Sequence, residues 1–365
     1  MTEKNARLAW IDLLRAIAIV GVVLCHCTEN IYHFRLDDLI QLSSQSRVFF
    51  FTSFCLGRLS VPFFLLISGT LLFSKGYDTE RIKRFYRHSW LHLAICTIIW
   101  FAIYELNEMY FFGVTITPLQ FVEGLVFVRE IRMPHGWYMP MILGAYLLIP
   151  FVACAFEKYN KKEFVLPLIV LTIYAFCYVP FNISQRVYNP KTNLKLMFTM
   201  GSSAIGYMLY MVYGQLLRQG MIKRIRTCVV ILLSIVSFVS LVLFQEWAYQ
   251  NNYVYNVWYD NILVLTTTVF VYEAFSRIRK IPLYRFVGLI SKYSFSVYLV
   301  HYLVLWRILK LITSLSLSKP LTVITLTAVT LIISFIICLV ISKIPKVGNY
   351  IFYIKEKKKS STLDT

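Results

Sequence analysis

The chain has 365 residues, 58% of them hydrophobic and 15% charged, with 37 Lys and Arg against 18 Asp and Glu and a formal charge of +19. A soluble domain usually carries about 25% charged residues, and the deficit here accompanies apolar runs near the ~20 residues that cross roughly 30 Å of hydrocarbon. Runs of that length exclude a soluble protein, and they also exclude a membrane barrel, whose strands are shorter and alternate. The fold class expected is all-α: a polytopic integral membrane protein of about ten transmembrane helices.

Taken alone, the positive charge would suggest nucleic acid as a partner. Its distribution argues otherwise. Most Lys and Arg fall in alternate connections, on the side of the N-terminus, which is the positive-inside pattern. Both termini are therefore expected in the cytoplasm, with membrane lipids as partners and no nucleic acid. The eight cysteines are mostly single and set in apolar runs, so neither a redox pair nor a zinc cluster is expected.

The first span is expected over Leu8–Ile31; its internal Arg and the lack of a small-residue cleavage site argue against a signal peptide. The second lies within Val48–Phe73, with Arg58 toward its outer end and Ser68-Gly69 allowing close helix approach. A basic inner segment holding Arg81, Lys83, Arg84 and Arg87 leads to a third span over Trp90–Tyr104. The outer region Glu105–Pro134 contains Thr117–Val128, too short to cross and so expected to lie on the surface or re-enter. Further spans are expected at Trp137–Phe156, Phe164–Val179, Leu194–Leu217, Cys228–Trp247, Val257–Phe275, Tyr293–Leu315 and Pro320–Ser342. Residues 1–354 read as one transmembrane domain, and residues 355–365 as a basic, disordered cytoplasmic tail. Trp137, Trp247 and Trp258, with neighbouring tyrosines, stand near expected helix ends as interfacial anchors.

The first span carries Asp12, Arg15 and His26, with Glu29 one turn further on. Eleven residues advance an α-helix by about 20° more than three full turns, so Arg15 and His26 share a face, roughly 16 Å apart. Ionisable groups are accepted in a membrane helix only where they face protein or a polar cavity, which makes this face a candidate site. A plainer reading has Arg15 snorkelling to the surface and His26 sitting at the interface. Asp12 stands at i,i+3 from Arg15 and is expected to orient it. A neutral His26 can take a proton from an attacking hydroxyl. If the inner basic segment is helical, Arg81, Arg84 and Arg87 form one stripe able to grip phosphate, although ordinary positive-inside anchoring would look the same. His301 lies within the ninth expected span, and His135 stands at an outer boundary. Arg58 and Glu123 are named as acceptor-site candidates for position and charge. The three histidines come from separate segments without a metal-ligand spacing, so no metal is expected.

In order along the chain, DLLRAIAIVGVVLCH, VPFFLLISGTLLF, the run Arg81–Arg87, HGWYMPMILGAYLLIP and SKYSFSVYLVHYLVL resemble the membrane acyltransferase-3 family. The resemblance extends from the first to the tenth expected span. It implies an O-acyltransferase of a multi-pass cell membrane protein, here a bacterial plasma membrane. The donor implied is a cytoplasmic acyl-CoA, most often acetyl-CoA, and the acceptor a hydroxyl of a cell-envelope glycan or small glycoside. It implies His26 and Arg15 as the catalytic pair, with His26 acting as the base or passing the acyl group onward, and Arg15 serving the CoA end of the tunnel or holding the tunnel itself. Arg81, Arg84 and Arg87 would hold the cofactor phosphates, and His301 and His135 would contact substrate. The rival from another class is a transporter or flippase for a polysaccharide or its lipid-linked precursor, since charges in spans also mark transport pathways.

Overall fold

Hydrocarbon offers the backbone no hydrogen-bond partners, so a spanning chain must satisfy them within helices or a closed barrel. The computed structural model describes residues 3–159, 161–191, 194, 202–344 and 347–353, and among these the chain forms helices and no strand. They are α1 (Glu3–Ile31), α2 (Leu36–Ile40), α3 (Ser44–Arg58), α4 (Ser60–Leu72), α5 (Thr79–Phe85), α6 (Leu91–Phe112), α7 (Pro118–Leu125) and α8 (Tyr138–Lys158). These are followed by α9 (Val165–Thr172), α10 (Tyr178–Tyr188), α11 (Ser202–Arg218), α12 (Thr227–Gln250), α13 (Ile262–Ser276), α14 (Tyr284–Thr313), α15 (Lys319–Ile341) and α16 (Val347–Phe352).

Eight segments among the described residues are long and apolar enough to cross a bilayer. They include α3–α4 as one segment (Ser44–Leu72), α5–α6 as another (Thr79–Phe112) and the α9–α10 stretch (Lys162–Tyr188). The two shorter helices, α11 and α13, stand where the sixth and eighth spans are expected. The first part of Leu194–Leu217 lies largely outside the described residues, and residues 355–365 lie wholly outside them.

Several boundaries move for local reasons. Asp78 caps α5 by accepting from the Arg81 N–H at 2.7 Å, and one wider turn at Tyr86–Trp90 joins α5 to α6. The basic run is therefore the first part of the third long helix rather than a separate connection. Pro180 stands just after the wider helical turn Ile173–Cys177, and the helix runs on through it past Val179 to Tyr188. Asn261 caps α13 through the Leu263 N–H, leaving Trp258 and Tyr259 in the preceding connection. α14 begins at Tyr284 rather than Tyr293. α7 forms where a short helix is expected, closed by a reciprocal capping box between Thr117 and Gln120.

α1 is the central helix, packing against α3, α4, α13, α14 and α15. α9, α10 and α12 lie at the periphery with exposed Leu166, Ile169, Leu232 and Ile235, as suits helices facing lipid. The tightest crossing joins α4 to α11. A Cβ at Gly69 would collide with the Met211 backbone, one at Gly214 would collide with the Leu66 backbone, and the Thr70 hydroxyl donates to the Gly214 carbonyl at 2.8 Å. Small residues there let two backbones approach, the usual source of helix association in lipid.

Gly69→Ala should therefore lower stability by about 1–3 kcal/mol through overpacking. Gly144→Ala, where an added Cβ meets nothing within 4 Å, should change little; thermal midpoints of the two variants in detergent test the difference.

Candidate active site

One face of α1 supplies the axis of the site. Asp12, Arg15, Val22 and His26 follow one another along it, and Glu29 continues it by a further turn. At the start of this stripe Asp12 is held by α14: Oδ1 accepts from the Ser291 hydroxyl at 2.7 Å and Oδ2 from the Tyr284 hydroxyl at 2.9 Å. The early start of α14 makes this grip possible. Arg15 Nη1 lies 3.9 Å from Asp12 Oδ1. A cavity of about 530 Å³ opens here, lined at its basic end by Arg15, Lys75 and Lys292 and deeper by Phe64, Tyr146 and Phe295.

Beyond it lies a second chamber of about 20 Å³, lined by His26, Arg58 and His135 among others. His26 Nδ1 and Glu29 Oε2 are 2.8 Å apart. A carboxylate only accepts, so Nδ1 carries a proton, and in the neutral ring Nε2 has the free lone pair. Glu29 Oε1 in turn accepts from Arg58 Nη2 at 2.8 Å, while Arg58 also reaches Asn256 Oδ1 at 3.0 Å and the Tyr259 hydroxyl at 3.3 Å. The guanidinium carbon sits 4.5 Å from the Trp258 ring centroid and 4.6 Å from that of Phe54, a cation–π sandwich in a desolvated place. Gly57 is on the wall of this chamber, where a Cβ would strike Cys25, so α3 can lie close against α1.

The other two histidines arrive from different directions. His301 is buried in α14; its Nδ1–H donates to the Tyr298 carbonyl at 2.7 Å, leaving Nε2 unpaired. His135 lies in the connection before α8, pinned by the Tyr298 hydroxyl donating to its carbonyl at 2.5 Å. Both its ring nitrogens lack a hydrogen bond among the described residues. Ring centroids are 4.7 Å apart for His135 and His301, 5.4 Å for His26 and His301 and 6.0 Å for His26 and His135. Separate segments thus meet in one cluster. Even so, no group of three His, Cys, Asp or Glu side chains among the described residues could hold a metal ion. Burial first, then the neighbouring His301 and His26 rings, keeps the His135 pKa well below the ordinary imidazole value.

Other residues singled out from sequence stand apart. Arg81, Arg84 and Arg87 are exposed on α5 and the turn after it, and Arg81 Nη1 donates to the Gly76 carbonyl. The cavity is lined on that side by Phe85, Ser89 and Leu93 instead. Glu123 lies on α7; the buried carboxylate nearby is Glu105, paired with Arg129 and pressed against Gly124. Sequence reasoning passed over Lys75 and Lys292, and it gave no role to Tyr298 or, above all, to Glu29, although Glu29 stood on the same stripe. A carboxylate three residues beyond a histidine in an apolar helix was the available signal for Glu29. Lys75 and Lys292 carried none, because their approach depends on how α4 and α14 pack. Trp137 and Trp258, expected as interfacial anchors, pack at a tilt with centroids 5.3 Å apart, Trp137 on the chamber wall and Trp258 against the Arg58 guanidinium.

The arrangement can bind a polar group among unpaired nitrogens, accept a proton at His26 Nε2 and place a cation beside developing negative charge. Removing Glu29 leaves the buried Arg58 charge uncompensated, so Glu29→Gln should destabilise the fold by up to about 3–5 kcal/mol, whereas Glu29→Leu combined with Arg58→Met should recover most of that loss. Thermal midpoints of the three proteins decide it. The unfolded chain protonates His135 below about pH 6.5 and the folded chain does not. Its contribution is thus complete above that pH and declines on acidification toward the depressed folded value. His135→Gln should flatten the fall in stability between pH 7 and pH 5 by up to about 1.4 kcal/mol per pH unit.

A family model for an acyltransferase domain matches residues 8–343, a span that contains Asp12, Arg15, His26, Glu29, Arg58, His135 and His301. No curated protein and no solved structure matches the chain. With nearly its whole length matched, the chain belongs to the acyltransferase 3 family.

Proposed function

We propose that the protein is an acyl-CoA-dependent O-acyltransferase of the bacterial plasma membrane, with both termini cytoplasmic. It takes an acetyl group from cytoplasmic CoA and delivers it to a hydroxyl of a cell-envelope glycan or glycoside. The observation that carries this reading is the pair of adjoining cavities. One opens among basic side chains, and the next ends at a histidine whose tautomer is set by a carboxylate. Buried polar atoms without partners need an explanation, and a substrate hydroxyl and thioester would provide one for His135, His301 and Arg58 Nε.

In this scheme Arg15, Lys75 and Lys292 meet the phosphates and the polar part of the CoA arm. Arg81, Arg84 and Arg87 add long-range attraction for the anionic donor from outside the cavity. The thioester advances to the chamber. His26 Nε2 removes the acceptor proton as the hydroxyl oxygen attacks the thioester carbon, and Glu29 stabilises the imidazolium that forms. Arg58 faces the negative oxygen of the tetrahedral intermediate, a role that Arg15, lying roughly 16 Å away along α1, cannot fill. Collapse of the intermediate expels CoA thiolate, which takes the proton from His26. His135 and Trp137 line the acceptor side, with His301 packed behind His135 and Trp258 behind Trp137. The family assignment favours group transfer over transport.

Purified full-length protein given labelled acetyl-CoA and an envelope glycan fraction should transfer label to the glycan. His26→Gln should reduce kcat by about 10²–10⁴-fold, the usual range for a lost general base. Arg15→Gln should act mainly on the KM for the donor. Undiminished transfer by His26→Gln would refute the assignment.

A further inference from the structure

The two cavities share four lining residues: Val22, Val61, Tyr138 and Tyr298. They come from α1, α4, α8 and α14, so they form a ring where four helices converge between the basic mouth and His26. The ring is firmly held. The Tyr298 hydroxyl is anchored on the His135 carbonyl, and the Tyr138 and Tyr298 rings pack edge-on with centroids 5.5 Å apart. Val22 and Val61 are buried, and a β-branched side chain in a helix keeps one χ1 rotamer. Beyond the ring the chamber is tight, about 20 Å³. The space before the ring is far larger, about 530 Å³.

We propose that this ring is the chain-length filter of the enzyme, restricting the donor to a two-carbon acyl group. The inference rests on the donor reading above. A thioester that reaches His26 must carry its alkyl tail past Val22 and Val61 into the chamber, alongside the acceptor oxygen. The chamber must hold the tail together with the thioester carbonyl and the acceptor oxygen, so a methyl group asks the least of so tight a space. A propyl tail adds two carbons, and it cannot fold back, because the ring closes behind the carbonyl.

The test uses the full chain in detergent or nanodiscs with acetyl-, propionyl- and butyryl-CoA. Each added methylene should lower kcat/KM by roughly 10-fold or more. Val61→Ala and, separately, Val22→Ala should raise the butyryl-to-acetyl ratio of kcat/KM by about 10-fold. Equal use of acetyl and butyryl donors by the unaltered protein would overturn the proposal, as would variants that change all three donors by one factor. Binding of the unreactive ketone analogues S-(2-oxopropyl)-CoA and S-(2-oxopentyl)-CoA separates this from the transfer reading. Weaker binding of the longer analogue, relieved by Val61→Ala, supports the filter even if no donor is turned over. Indifference to tail length sinks the filter while leaving transfer intact, and failure of both analogues to bind removes the two together.

Discussion

The structure depends on one half-buried carboxylate being claimed from two sides. Glu29 accepts from His26 and from Arg58, and neither contact would be stable alone in an apolar surrounding. An unpaired guanidinium between Phe54 and Trp258 would carry a heavy desolvation cost. An unpartnered His26 would have no fixed tautomer. Together they hold α1 to α3 and to the connection before α13, since Arg58 also bonds Asn256 and Tyr259. The polar chain that could perform catalysis is also a chain of tertiary contacts, so site and fold cannot be loosened independently.

The second constraint is the difference between the two ends of α1. Near its start Asp12 is gripped by Tyr284 and Ser291, and the adjacent cavity is wide and bordered by cations. Near its end the space narrows to a chamber bounded by aromatic rings and histidines. Such a taper suits a reagent with a large anionic head and a small reactive tip. It does not suit a conduit for a bulky polar solute, which would need comparable width throughout.

The acyltransferase 3 assignment and the all-helical membrane fold were legible from residue order. So was the short helix in the Thr117–Val128 region, because a capping box is a local signal. Helix starts were less legible. Asp78 lengthened the third long helix and Asn261 delayed α13, although each cap was present to be read. The basic stripe of Arg81, Arg84 and Arg87 illustrates a deeper limit. Helical spacing put those side chains on one face, but spacing says nothing about whether that face meets a cavity, and here Phe85 and Ser89 do so instead.

What the sequence by itself determined is what hydrocarbon enforces on any chain: long apolar helices, and polar residues turned inward from lipid. Those rules act within a single helix, through a period of 3.6 residues and the expense of an exposed charge. The meeting of His26, His135 and His301, the pairing of Arg58 with Glu29 and the ring that divides the passage were decided only by tertiary structure. Each joins side chains from different helices or connections, set by close contacts such as Gly57 against Cys25 and Gly69 against Met211. Helix crossings of that kind are a property of matched surfaces, and no residue spacing along one chain segment encodes them.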